Sequence, residues 1–276
     1  MRHIIPPAFL TFTMLLLLQT SAWATGPRVT TALFTPDAHA IHAHDFPPYL
    51  SNEVVDGGPI SAITTEAFRR SNLQASIQVE PLRGIVRYYL TQEHAFAIIE
   101  HHMQFSEAEK KQLIFIPLMT ITEHYFYYKP HHPDGFNWPN DIHELKGRTL
   151  GYHASDAPPL WQKAGIRIQY GRTIDMMKQL KNGDVDFIKA SKPSIQWLSA
   201  HYMPDDQANF VTMGDHHDDE VIQIVFNRNH PQGASAAAAF QKALDAMHND
   251  GTYQRLLQQH TRSTTEVRHD LAHVAP

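Results

Sequence analysis

Histidines beside carboxylates are the residues of this sequence whose types and spacing are best suited to chemistry. The chain has 20 histidines, among them the pairs His42 with His44 and His101 with His102, and the run Asp215–Asp219 adds two more between aspartates. Histidine and carboxylate groups together bind metal ions. A folded site needs three or four converging ligands, and these spacings match no established zinc motif. We therefore expect no metal site, and keep metal binding as one alternative function.

Covalent catalysis has little support. The chain has no cysteine, and it has no Gly-x-Ser-x-Gly motif of the kind that presents a serine nucleophile. Carboxylate pairs occur, but none has a setting specific for acid–base work. We expect a protein that binds rather than an enzyme, and one that needs no cofactor.

Strand-like and helix-like segments alternate along the chain, so the elements that must position these residues are those of an α/β fold. The predicted strands are Ala38–Ala43, Ser76–Glu80, Ala95–Ile99, Glu123–Tyr128, Thr149–Tyr152, Val185–Lys189 and Val221–Phe226. The predicted helices are Pro59–Ser71, Gly84–Thr91, Glu107–Gln112, Ile174–Asn182, Pro193–Ser199, Ala236–Asn249 and Gly251–His260. The alternation predicts mostly parallel sheets.

The amino terminus reads as a cleavable signal peptide, residues 1–24. Arg2 precedes the apolar stretch Ala8–Leu18, and Ala22–Ala24 provides a small-residue cleavage site. The apolar stretch is shorter than the roughly 20 residues that span a bilayer, although an uncleaved anchor is the alternative. Lipid attachment at the junction would need a cysteine, so we expect a soluble periplasmic protein and not a lipoprotein.

The net charge of the chain indicates which kinds of partner to expect. The net charge is −5 with neutral histidine, and there is no basic run. A nucleic-acid partner is therefore not expected. The expected partners are a small polar ligand and a membrane permease or receptor, with the protein itself a monomer.

Five ordered stretches resemble the family 3 periplasmic solute-binding proteins, the group known for amino-acid uptake. They are Asp45–Tyr49 with Gly57–Ile60, Phe105–Phe115, Asp141–Gly151, Leu180–Phe187 and Asn249–Leu256. The resemblance implies a two-lobed type II periplasmic-binding-protein-like α/β fold with a ligand cleft between the lobes. It implies one lobe over residues 38–128 plus 220–262, a second over 129–219, and a loose tail at 263–276.

The same resemblance implies which residues line the cleft. Phe46 falls where the family places an aromatic ring against the ligand, with Tyr49 close by. Arg83 lies at another ligand-facing turn, where a guanidinium could clamp a carboxylate or phosphate. Glu100 ends a strand that is followed by His102.

Two positions depart from the amino-acid binders of the family. Glu109 aligns with the arginine that holds the ligand's α-carboxylate, and a carboxylate there would repel that group. A shifted alignment would place Lys110 or Lys111 there instead. Ser191 aligns with the aspartate that takes the α-ammonium group.

We infer a ligand other than a standard α-amino acid. Glu109 and Glu100 could hold a cationic or hydroxyl-rich molecule instead. In lobe two, His153, Ser155 and Asp156 follow a strand and would reach the cleft.

The leading hypothesis is therefore a periplasmic protein that captures a small polar solute for a membrane permease. A sensory or regulatory module of the same fold, acting on a membrane receptor, is the second hypothesis.

Overall fold

A computed structural model describes residues 39–81, 83–91, 95–100, 105–153 and 157–260 of the chain. The predicted signal peptide, 1–24, and the predicted tail, 263–276, both lie outside these ranges. Among the residues that it describes, no helix is both long and apolar enough to cross a membrane.

The described chain alternates strands with helices, as the sequence predicts. The strands are β1 (His39–His44), β2 (Ala75–Glu80), β3 (Ala97–Glu100), β4 (Leu113–Tyr128), β5 (Thr149–Tyr152), β6 (Arg167–Tyr170), β7 (Phe187–Ser191) and β8 (Phe210–Asn227). The helices are α1 (Pro59–Arg70), α2 (Arg83–Thr91), α3 (Glu107–Lys110), α4 (Pro159–Lys163), α5 (Thr173–Asn182), α6 (Lys192–Tyr202) and α7 (Gly233–Asn249). Residues 252–260 are also helical.

All eight of these strands form one sheet, in the order β2-β1-β3-β8-β4-β7-β5-β6. The outer pairs are parallel, as expected: β1 pairs with β2 and β3, and β5 pairs with β6 and β7. The central pairs are antiparallel, because β4 and β8 run against each other and against their neighbours. Four of the seven strand pairs are therefore parallel and three are antiparallel, which makes the sheet mixed.

The long strands β4 and β8 are shared by two halves of the sheet. We call β2, β1 and β3 with the adjoining ends of β4 and β8 the first half, and β7, β5 and β6 with the remainder of β4 and β8 the second half. The first half packs on α1 and α7 through residues such as Phe68 and Phe240. The second half packs on α5 and α6 on one side, and on Trp161 of α4 on the other. A smaller cluster with Val86 and Leu90 of α2 packs on the first half as well, so each half of the sheet has two apolar clusters, and two continuous strands join the halves.

Local sequence explains where several elements begin and end. Pro59 lies in the first turn of α1, where its missing N–H is not needed. The apolar residues of α1 recur at helical spacing and are buried against the first core. At its carboxyl end, α5 is capped by Gly183, whose φ of 83° is in the left-handed region that glycine favours.

Candidate functional site

Phe46 and Tyr49 lie in the turn that follows β1, at the carboxyl end of that strand. The Phe46 N–H donates to the Leu50 carbonyl at 2.7 Å, which closes the turn. The two rings stack with their centroids 5.2 Å apart, and Phe46 is only 4% exposed. Gly58 supports the turn, because a Cβ there would lie 2.6 Å from the Tyr49 carbonyl oxygen. The turn therefore presents two aromatic rings from the first half of the sheet.

Ser191 and His153 lie at the carboxyl ends of β7 and β5, in the second half. Ser191 caps α6: its Oγ accepts from the Ser194 N–H at 3.1 Å and donates to the Ser194 Oγ at 2.9 Å. His153 Nδ1 lies 3.2 Å from the Lys189 carbonyl oxygen. A serine is the residue type expected at a helix N-cap, so the helix accounts for Ser191 locally.

These two groups meet face to face. The Phe46 ring stacks on His153 at a centroid distance of 6.0 Å and an angle of 12°. Burial raises the pKa of Tyr49 to about 12, although a hydrogen bond with Ser191 acts in the opposite direction. Four of the residues predicted for the cleft are thus brought together: Phe46, Tyr49, His153 and Ser191. Carboxyl ends of strands are where ligands bind in open α/β sheets.

Beneath these residues lies a charged cluster, defined here as the Lys189 cluster: Lys189, Glu123, Asp218 and Glu220. The Lys189 Nζ lies 2.7 Å from Glu220, 3.0 Å from Asp218 and 3.7 Å from Glu123. The Lys189 side chain is 5% exposed, and Glu123 is fully buried. Glu123 also lies 3.4 Å from the Nε2 of His153. Burial of such charges is tolerated because they compensate one another.

The carboxylates decide the charge state of the lysine. Burial alone would lower the pKa of Lys189, but the negative charge of Glu123 and the hydrogen bond to Glu220 outweigh it, so the pKa is raised. The ammonium stays charged and links β7 to both long strands. Tyr125 completes the arrangement by donating its hydroxyl to Asp218 at 2.6 Å.

Sequence reasoning missed this cluster. The sequence pattern places Lys189 within a predicted strand and Glu123 at the start of another, with no sign that the two meet. The one local signal was a lysine in the otherwise apolar stretch Phe187–Ala190, since a charged residue in a buried strand needs a partner.

Glu109 and Glu100 have different surroundings. Glu109 is the N3 residue of a capping box with Ser106 and forms an ion pair with Arg87 at 2.8 Å. The hydrogen bonds from Ser106 and the nearby Arg87 lower the pKa of Glu109. These contacts account for Glu109 without a ligand. Glu100 is fully buried at the end of β3, paired in register with Gln223 of β8.

The remaining predicted residues are placed as follows. Arg83 is the first residue of α2. His102, Ser155 and Asp156 lie outside the described residues.

Histidines of the candidate metal clusters have other contacts. His42 lies 2.9 Å from Glu80 and stacks on Tyr89, and His216 stacks on Trp138 at 4.2 Å. Within the described ranges, no group of three or more histidines and carboxylates could hold a metal ion.

Comparisons with solved structures identify the fold. A mutant of ArgBP from T. maritima superposes with a TM-score of 0.64 at 18% identity, over 82% of this chain and 96% of that one. A histidine kinase sensor domain with similarity to periplasmic binding proteins gives a TM-score of 0.64 at 14% identity, over 82% and 97%. A double mutant of the BvgS VFT2 domain of Bordetella pertussis gives 0.59 at 17% identity, over 81% and 93%. No protein-family model matches the sequence, and no curated protein matches it either.

The chain therefore has the two-lobed fold of periplasmic binding proteins, as its sequence motifs predict. These neighbours are binding proteins and sensor domains, and at such identities they show the fold alone. Function must be argued from the site.

Proposed function

We propose that this protein is a periplasmic binding protein that captures a small polar solute, other than a standard α-amino acid, and presents it to a membrane permease. In this proposal residues 1–24 are removed as a signal peptide. Lobe one comprises 38–128 plus 220–262, and lobe two comprises 129–219.

The observation that carries the proposal is the meeting of Phe46 and Tyr49 with His153 and Ser191. These residues come from the carboxyl ends of strands in opposite halves of the sheet. Aromatic faces beside a few fixed polar groups are typical of small-molecule sites. The two shared strands provide the connection about which the lobes would open and close.

Among the described residues, neither of the two aligned positions, Ser191 and Glu109, supplies the charge that an α-amino acid requires. Ser191 is neutral, fully buried, and engaged with Ser194. Glu109, aligned with the carboxylate-binding arginine of the family, is negative and engaged with Arg87. A buried charged ligand without compensating groups would be bound at a severe cost. A hydroxyl-rich or cationic ligand fits this site better, since the buried carboxylate of Glu123 lies 3.4 Å from the Nε2 of His153.

A sensory module of the same fold is the second candidate. It is favoured by a hydrogen bond that joins the two halves directly, from the Ser194 Oγ to the Pro47 carbonyl at 2.8 Å. A closed form held by the chain itself suits a domain that signals through its conformation.

Thermal denaturation with a panel of sugars, nucleosides, polyamines and amino acids tests the proposal. A bound solute at 100 times its dissociation constant adds about 2.7 kcal/mol to the stability of the folded state. We expect a non-amino-acid solute to raise the melting temperature of the wild type, and Tyr49→Ala to abolish that rise. Tyr88→Ala, which changes an exposed tyrosine of α2, is the matched control. Equal stabilisation by common α-amino acids would contradict the assignment of ligand class.

A further inference from the structure

The turn after β1 makes several contacts with the second half of the sheet. The Ser194 Oγ donates to the Pro47 carbonyl at 2.8 Å, and both atoms are buried. The Phe46 ring packs on His153. Farther along the turn, the Tyr202 hydroxyl donates to the Glu53 carboxylate. We name this set of contacts, with Tyr49 and Ser191, the interhalf latch.

An apolar contact extends the interhalf latch. Val54 belongs to the same segment as Glu53, and it packs against the core of the second half together with Ile174. The latch therefore combines a buried hydrogen bond, a ring stack and apolar packing. All of these groups belong to the chain itself.

The hydrogen bond from Ser194 to Pro47 lies where it can hold the two halves together. Ser194 is fully buried and lies in the first turn of α6, where Ser191 fixes it through two hydrogen bonds. A hydrogen bond in a buried, low-dielectric setting is stronger than one in water. Opening the halves would expose the Pro47 carbonyl and separate Phe46 from His153.

We propose that the interhalf latch closes the two halves of this protein on each other in the absence of ligand. The inference does not depend on transport or on any particular solute. Its consequence for binding is thermodynamic: a ligand changes the balance between open and closed forms only by its differential affinity for them. If a ligand can bind only to the open form, its apparent affinity is reduced in proportion to the fraction of molecules that are open.

Distance measurement between two spin labels tests this proposal in the mature chain. The protein has no cysteine, so the substitutions Thr65→Cys and Lys178→Cys provide the only attachment points. Both positions are exposed, Thr65 on α1 beside the first half and Lys178 on α5 beside the second. Without ligand we expect a single narrow distance that matches the closed arrangement. A longer or broad distribution in the unliganded protein would overturn the proposal.

Variants of one helix identify the cause of closure. Ser194→Ala removes the bond to Pro47, and we expect it to shift the open-to-closed ratio by about tenfold, the size of effect that one buried hydrogen bond supports. Ser199→Ala is the control, because the Ser199 hydroxyl bonds to Gln196 within α6 and contacts nothing in the first half through that bond. If Ser194→Ala combined with Tyr49→Phe leaves the distance unchanged, the latch is not what closes the protein.

The result is separable from the proposed function. A protein that is open without ligand but is stabilised by a solute would refute the latch and leave solute capture standing. A protein that is closed without ligand and is stabilised by no solute of the panel would support the latch and count against solute capture.

Discussion

Replacement of Lys189 by methionine tests whether the charged cluster is a structural element of the protein. Methionine keeps most of the apolar length of the side chain and removes the ammonium. Removing one partner of a buried ion pair costs about 3–5 kcal/mol, and this applies to fully buried Glu123 at 3.7 Å. The Asp218 and Glu220 side chains are 41% and 23% exposed, so solvent screens part of their interaction with Lys189. We therefore expect Lys189→Met to lower the free energy of unfolding by about 3 kcal/mol, near the lower limit of that range.

Urea denaturation at several pH values measures this loss. With a denaturant slope of about 3 kcal/mol per M, the midpoint falls by about 1 M at pH 7. Without the ammonium, the buried carboxyl of Glu123 favours its neutral form. The difference in free energy of unfolding between the variant and the wild type should therefore narrow as the pH falls from 7 to 5. Lys178→Met, an exposed lysine on α5, is the control and should change little. A Lys189→Met variant as stable as the control, or a gap independent of pH, would refute this reasoning.

Two further predictions concern the turn after β1 and the contact between α1 and the end of α7. Gly58→Ala should cost at least twice as much stability as Gly147→Ala by urea denaturation. Both glycines have positive φ, at 87° and 82°, which costs alanine about 1–2 kcal/mol, but only at Gly58 would the Cβ meet backbone, 2.6 Å from the Tyr49 carbonyl oxygen. Hydrogen bonds from the Thr252 backbone and from Arg70 lower the pKa of Asp250 to about 2, so its contribution is present above pH of about 4 and is lost as the pH falls through 2. The free energy of unfolding of Asp250→Asn should therefore change less with pH over this window than that of the wild type. Identical pH dependence in the two proteins would contradict the contact of Asp250 with Arg70 and Thr252.

The elements with strong local signals could be predicted from the sequence. The helix α1 has a proline at its start and apolar residues at helical spacing, and β5 was predicted with its observed bounds, Thr149–Tyr152. The end of α5 at Asn182 was also predicted, and the glycine that follows it, Gly183, is the local signal for that end. Each of these signals comes from residues that are close together in the sequence, so it can be recognised without knowledge of distant contacts.

Other elements depend on distant partners. The prediction began β4 at Glu123, ten residues late, because Pro117 interrupts the apolar pattern. In the structure the register shifts between Pro117 and Met119, and an irregularity of this kind is where a strand tolerates proline. The start of β8 was missed because its charged residues are largely exposed. The strand β6 was missed because it is an edge strand with little buried surface.

The candidate site was predictable only in part. Phe46 and Tyr49 follow the first strand, and their place was implied by the resemblance to a known family. The Lys189 cluster was not predicted, because its members come from β4, β7 and β8 and are united only by the pairing of those strands. The bonding of Ser191 within a helix cap likewise becomes visible only once α6 is placed.

The pairing of β4 with β8 also constrains the order in which the molecule can acquire its structure. Leu113 pairs with Asn227, and Phe240 of α7 fills the first core. The core of the first half therefore cannot form until Asn227 and Phe240 have been synthesised, although β1, β2 and β3 are synthesised much earlier. Contacts so far apart in sequence form slowly. For a polypeptide proposed to cross a membrane before folding, this delay is useful, since the nascent chain cannot complete a stable core while it is still being delivered.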